Sequence, residues 1–424
     1  MDAAVESCSA RDAAALNTQC RCVTVDLASF RAEVDTRLRA AGLPATVADT
    51  HPHLFAQVPV FLSAAHAERM AAAVSAVEAA VALPAYRETA LALAPAISRH
   101  DSGARGAFLG FDFHLSAQGP RLIEINTNAG GGFLAAMLGE AALVCCGISA
   151  HADASTSGFE QWVSGMLAAE WRGTGRDGRP PTIAIVDETP ETQYLYPEFL
   201  LIAHAIERAG IKALVAAPGD LEFSDGMLRA HGERVDLVYN RLCDFALEAD
   251  ASRALREAYL AGAAVVTPNP AAHALYADKR RLSLLGDEDW LRAAGLDPRF
   301  AALLGEVVPR TSAVQRDDGA KLWEERRKLF FKPFAGYGSR GAYRGDKLTR
   351  RVFEEILGGG YVAQAMVPPG ERIAALESQP RLKFDVRNYA YGGKVQLLAA
   401  RLWRGQTTNF RSEGGGFAPV FVLP

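Results

Sequence analysis

The chain lacks the features that would place it across a membrane, in an oxidising compartment or on a nucleic acid. No run of about 18 uninterrupted apolar residues occurs, so no membrane-crossing helix is expected. The opening MDAAVESCSARDAAALN has neither a basic start nor an apolar stretch, which is not the pattern of a secretory leader. Six cysteines (Cys8, Cys20, Cys22, Cys145, Cys146, Cys243) form no C-x-x-C pair and no zinc spacing. Cys145 and Cys146 fall in an apolar helical run and read as core, so a reducing cytoplasm is the expected location. Net charge is −4 with no long basic run, which argues against nucleic acid and anionic membrane partners. The run Glu324–Lys328 reads as a solvated helix face. No internal repeat or low-complexity block is evident. What remains is a chain of 424 residues, 49% of them apolar, with room for two or three domains and sizeable cores.

Against this background two segments carry chemistry. Residues 110–132 read GFDFHLSAQGPRLIEINTNAGGG. Phe111, Phe113 and Leu115 alternate with Asp112 and His114, which is the period of a strand. Ser116 to Pro120 is turn chemistry, and Arg121 to Asn126 alternates again. Gln118 lies midway between Asp112 and Glu124, so a hairpin closed there sets the two carboxylates opposite each other, roughly 5 Å apart. Asn126 shares the face of Glu124. Two carboxylates so placed repel unless a proton or a cation intervenes. An Asp/Glu/Asn oxygen set suits a hard ion such as Mg²⁺, completed by water and phosphate. Asp112, Glu124 and Asn126 are therefore the candidate metal ligands.

Residues 329–345 read LFFKPFAGYGSRGAYRG, and Gly336 to Gly341 fits G-x-G-x-x-G. A dinucleotide site would require a helix opening at the last glycine and an acidic residue about 20 positions on. Ala342-Tyr343-Arg344 instead continues as a strand, and the helical run Lys347–Leu357 follows. The pattern is a glycine loop between strands, whose backbone N–H groups can approach phosphate closely. Lys332, set among Phe330, Phe331 and Phe334, would supply the compensating charge.

Elsewhere, residues 1–25 show no clear period and are expected to be mobile. Asp26 to about Ser98 reads as Ala-rich helices broken by prolines, with His51-Pro52-His53 a turn. A helix is expected over Leu134–Gly147 and a linker over Gly173–Pro181. Residues 182–270 alternate strands (Thr182–Val186, Ile211–Ala216, Val235–Tyr239, Ala263–Thr267) with helices such as Tyr196–Ala209, the pattern of a parallel Rossmann-like layer. Ligands bind at the carboxyl ends of such strands, where Asp187, Glu188, Asn240 and Arg241 fall. Arg241 either grips a substrate carboxylate or pairs with Asp244 or Glu248. Near the C-terminal end, Lys383, Asp385 and Arg387 share one face of a strand. Gly392-Gly393 is a turn, and Val395–Leu402 returns. A three-residue loop would set Arg401 opposite Asp385; a two-residue turn would send it to the other face.

Taken together, these segments resemble the ATP-grasp superfamily. Asp112 with Leu122-Ile123-Glu124-Ile125-Asn126 is similar to its metal-binding segment, and Lys332-Pro333 with the glycine loop to its lid. Tyr361–Val367 looks like its adenine-binding hinge, and Phe384–Arg387 with Arg401–Gly416 like its catalytic strands. The metal segment lies about 200 residues before the lid, an order that resembles circularly permuted members such as eukaryotic glutathione synthetase. Those carry an acidic ligand within the glycine loop. AGYGSRG has none, so Asp112 would supply the third oxygen, with Glu413 the poorer substitute.

The resemblance implies an α/β (α+β) ATP-grasp fold in circularly permuted order with a Rossmann-like substrate domain. Its expected divisions are a helical region over 1–104, the metal hairpin over 105–150, the substrate domain over 180–275, and lid (about 320–370) plus catalytic strands over 276–424. It further implies ATP bound by Lys279, Lys332, Gly336, Gly338, Ser339, Arg340 and Gly341, with Gln364, Met366 and Val367 around the base and Glu371 at the ribose. Two Mg²⁺ ions would be held by Asp112, Glu124 and Asn126. Arg387, Arg401, Arg411 and Asn409 would face the transferring phosphoryl group, and Asn240 and Arg241 the substrate. The implied activity is carboxylate–amine ligation through an acyl phosphate, on small-molecule acids and on amines such as amino acids, peptides or polyamines, in a homodimer. A small-molecule kinase, a dinucleotide-binding oxidoreductase and a non-catalytic nucleotide binder are the alternatives, and a thiol or alcohol acceptor stays open.

Overall fold

The computed structural model describes residues 12–40, 42, 50–143, 156–336, 338, 340–373 and 381–424. Cys8, Cys145, Cys146 and Ser339 lie outside them. Within the stretch read as mobile, Ala13–Gln19 is a helix capped by Asp12. Asn17 fixes it, because its side chain both donates to and accepts from the backbone of Phe61 at 2.8 and 2.9 Å. An aperiodic stretch of seven residues hid a helix whose order comes from a distant strand.

That strand is β1 (Val60–Ser63). It leads directly into the Ala-rich helix Ala64–Val81, which Ser63 caps through the His66 N–H. The hairpin follows as β2 (Leu109–Ser116) and β3 (Gly119–Asn126). The next helix runs from Gly132 to Ala141, and Leu143 ends the described part of that segment. The Rossmann-like layer contains β4 (Thr182–Val186) and β5 (Lys212–Ala216). A small antiparallel sheet that periodicity did not reveal follows, made of β6 (Leu221–Ser224), β7 (Met227–Ala230) and β8 (Glu233–Arg234). Then β9 (Leu237–Asn240) and β10 (Val265–Thr267) complete a parallel sheet of order β10-β9-β4-β5.

The lid sheet is β11 (Thr311–Ala313), β12 (Leu329–Pro333), β13 (Tyr343–Arg344) and β14 (Tyr361–Ala365), in the order β11-β14-β12-β13. The glycine loop joins β12 to β13, as the strand-like Tyr343-Arg344 predicted. The remaining strands are β15 (Gly370–Arg372), β16 (Leu382–Tyr391), β17 (Lys394–Trp403), β18 (Gly416–Ala418) and β19 (Val420–Leu423). The central sheet runs β18-β17-β16-β2-β3, with β15 also on β16, so the early hairpin joins strands some 270 positions later. β19 pairs in parallel with β1.

Alternation divides the central sheet into two faces. Phe111, Phe113, Leu122, Ile125, Phe384, Val386, Ala400 and Leu402 are buried together with Met70, Val74 and Val77 of the Ala64–Val81 helix. The polar residues between them are thereby turned to the opposite face. At one end of that face, the loop before the Gly132–Ala141 helix is held by the Rossmann-like layer. Buried Glu198 accepts from the N–H groups of Gly131 (2.6 Å) and Phe133 (2.8 Å), satisfying donors that a helix start leaves open. Gly131 has φ 88, and a Cβ there would stand 1.9 Å from the Phe417 ring. Gly131→Ala is expected to cost about 3 kcal/mol through overpacking and left-handed strain, read as a lowered urea midpoint with unchanged slope.

Candidate functional site

Both hairpins of the central sheet have two-residue turns, and both are corrected by a bulge. The Ala117-Gln118 turn alone would bring Ile123 opposite Asp112. One extra residue, Ile123, shifts the register so that Asp112 pairs with Glu124. The Gly392-Gly393 turn, with φ of 55 and 77, alone would bring Ala400 opposite Asp385. An extra residue at Gln396 puts Arg401 there instead. Each slip of one residue moves every later side chain to the other face, so these two bulges assemble the site.

Asp112 occupies its centre, paired with Glu124 on one side and Arg387 on the other. Its carboxylate accepts from Arg387 Nε (2.6 Å) and Nη2 (2.7 Å), from Arg401 Nη2 (2.8 Å), and from Asn126 Nδ2 (3.0 Å). Arg401 is also held by Asp385 through two bonds, at 2.9 and 2.8 Å, and Thr408 donates to Asp385 at 3.0 Å. All four charged groups are largely buried, with side-chain exposures of 12% or less. Burial alone would raise the Asp112 carboxyl, but the two guanidiniums hold it down to about 2. Asp112, expected to supply a metal oxygen, has both of its oxygens engaged by arginine.

Glu124 and Asn126 differ from it. Among the described residues, neither the Glu124 carboxylate nor Asn126 Oδ1 has a hydrogen-bond partner, and Asn126 turns only its N–H₂ toward Asp112. Burial disfavours the Glu124 anion, and the ammonium groups of Lys279 and Lys332 more than offset it, so its pKa is lowered. No group of three His, Cys, Asp or Glu able to hold a metal occurs among the described residues. The donor set is one free carboxylate and one amide oxygen, which fits an ion that also takes phosphate and water ligands.

The lid approaches from above this pair. Lys332 donates to the carbonyl of the bulge residue Ile123 at 2.8 Å. Burial lowers its pKa to about 8 against the opposing pull of Glu124. Lys279 donates to Gly336 O at 2.9 Å, tying the start of the glycine loop. Gly338 (φ 57) and Gly341 (φ 68) adopt the left-handed backbone, while Arg340 is exposed at the loop. His114, two residues from Asp112 on the same face, contacts the carbonyl of Val367 through Nδ1 at 2.7 Å. His114 had no role in the sequence reading, because its clasp on the Val367 carbonyl depends on a residue 253 positions away.

The other candidate residues make the following contacts. Gln364 is buried in the lid sheet with its amide on Thr311 (3.2 Å), and Met366 N–H is bonded to Lys328 O (2.8 Å). Glu371 is exposed and paired with Arg381. Asn409 does not face the cluster: its side chain bonds Arg404 O, Thr407 O, Arg411 N and Ser412 Oγ, stapling its own loop, and Arg411 is exposed. Asn240 is spent on Pro268 O and Leu242 N. Arg241 pairs with neither Asp244 nor Glu248. It is buried, donating to Asn128 O (2.7 Å) and Tyr239 Oη (3.2 Å), and so braces the loop after the metal hairpin. Beside it, burial raises Asp187 to about 6 despite the nearby Arg241.

No family model and no curated protein matches this sequence. Solved structures do match its fold. A glutathione synthetase-like effector, GSS30, from Globodera pallida in apo form superposes with TM-score 0.55 at 12% identity, covering 93% of this chain and 96% of that one. A putative gamma-glutamylcysteine synthetase from Methylobacillus flagellatus KT gives TM-score 0.46 at 10% identity, over 85% and 87% of the two chains. The ATP-grasp ligase PsnB, solved with a precursor variant, Mg and ADP, gives 0.24 at 16% identity, over 51% and 87%. The chain has the fold of this glutathione synthetase-like effector.

Lys332 gives this site a signature in stability. Its folded pKa, about 8, lies below the ordinary 10.5, so between these values the unfolded chain holds the extra proton and stability rises with pH. Lys332→Met is expected to stabilise the protein at pH 7 by on the order of 2 kcal/mol. That gain should shrink as pH climbs from 8 to 10, measured by urea unfolding across that range.

Proposed function

We propose that the protein is an ATP-dependent ligase that joins a carboxylate to an amine through an acyl phosphate, releasing ADP and phosphate. The observation that carries this reading is the convergence on one sheet face of a free carboxylate–amide pair, two clustered arginines and two lysines from the lid side. Lys279, Lys332 and the glycine loop would receive the nucleotide phosphates, with the backbone of the hinge near Val367 at the base. Glu124 and Asn126 would hold the divalent ion, which when bound would shield phosphate charge. Such a cage suffices because phosphoryl transfer rests on positioning and charge stabilisation, not on a nucleophilic side chain. Arg387 and Arg401 each keep an Nη1 group with no protein partner among the described residues, and these would meet the transferring phosphoryl group. The lid would exclude water from the acyl phosphate until the amine displaces phosphate. The early position of the metal hairpin fits a circularly permuted arrangement. The carboxyl ends of β4 and β9, near Asp187 and Arg241, would admit the acid.

The test is ADP and phosphate release from ATP and Mg²⁺ with pooled amino acids, peptides and polyamines, in wild type and Glu124→Ala. Turnover requiring one acid and one amine, reduced about 10³-fold or more in the variant, is the expected result. Failure of the wild type to bind ATP would overturn the reading.

A further inference from the structure

Two arginines whose side chains are nearly buried would normally repel each other, yet Nη2 groups of Arg387 and Arg401 share one oxygen, Asp112 Oδ2, at 2.7 and 2.8 Å. Asp112 takes the Nε/Nη2 edge of Arg387 and one Nη2 of Arg401, and Asp385 takes the rest of the Arg401 edge. This two-pronged grip fixes each planar guanidinium in orientation. Among the described residues, what it leaves uncommitted is one Nη1 on each arginine.

We infer that Asp112 is a positioning residue: it aims Arg387 and Arg401 as a two-armed claw for one anionic centre and is not a ligand of the divalent ion. This rests on the ligase reading above and divides the labour of the paired carboxylates. Glu124, with no hydrogen-bond partner among the described residues, would face the ion. Asp112 cancels the repulsion that would otherwise spread the claw. The anion suited to two converging guanidiniums is a phosphoryl group in transit, whose charge is spread over three equatorial oxygens at a position that bound ADP leaves empty.

The probe is ADP with Mg²⁺, alone and with aluminium fluoride as a mimic of the phosphoryl group in flight, measured by calorimetry on the full chain. Wild type is expected to bind ADP with the fluoride about tenfold or more tighter than ADP alone, since charge-aimed donors discriminate at that scale. Asp112→Asn should lose this gain while keeping ADP affinity and the Mg²⁺ half-saturation within about threefold, because an amide oxygen at position 112 can still accept from Asn126 Nδ2 while it grips the arginines more weakly. Glu124→Gln should do the reverse, raising the Mg²⁺ requirement about tenfold or more. Should Asp112→Asn not fold, Arg401→Gln with Asp112 intact is expected to lose the same gain. A raised Mg²⁺ requirement in Asp112→Asn, or a fluoride gain that survives in it or in Arg401→Gln, would overturn the inference. Absence of ADP binding by wild type would instead overturn the ligase reading itself.

Discussion

A single buried carboxylate shared between two arginines sets the electrostatics of the central sheet. Removing one partner from such a group leaves a charge stranded away from water, at a cost of about 3–5 kcal/mol. Asp112, Arg387, Arg401 and Asp385 lie on three neighbouring strands, so the network also fixes how the early hairpin docks on the late one. The apolar face beneath gives the sheet its bulk stability. The polar face above is narrowly specified, because only one register satisfies every member.

Much of this was legible beforehand. The four strands of the parallel layer, the hairpin, the glycine loop between strands and the shared face of Lys383, Asp385 and Arg387 all follow from period and turn chemistry. Glu124 does stand opposite Asp112, though the sequence reading reaches that pairing by closing the hairpin symmetrically at Gln118. The structure reaches the same pairing with a two-residue turn and an extra residue at Ile123. For Arg401 the sequence leaves the face open between a two- and a three-residue turn; the turn has two residues, and the extra residue at Gln396 still sets Arg401 opposite Asp385. Bulges leave no local signature here: neither Ile123 nor Gln396 is a glycine or a proline.

What could not be read were contacts between distant segments. Asp112 has an acidic side chain suited to a metal, and only the fold brings to it arginines 275 and 289 positions away. Asn409 and Arg411 sit in a polar, glycine-rich stretch of the right composition, but the loop closes on itself through the Asn409 amide. The helix at Ala13–Gln19 owes its place to Phe61, and Glu198 to a loop 65 positions earlier. Residue type proposes a chemistry; the partner brought by the fold decides which chemistry is used.

The pairing of β1 with β19 has a consequence during synthesis. Val60 emerges from the ribosome some 360 residues ahead of Val420, its parallel partner. At about 5–20 residues per second, the first strand waits roughly 20–70 s for its neighbour. The helix behind it and the metal hairpin wait almost as long for β16 and β17. A nascent chain therefore carries an unpaired apolar strand and an unshielded Asp112–Glu124 pair until residues 382–423 have emerged.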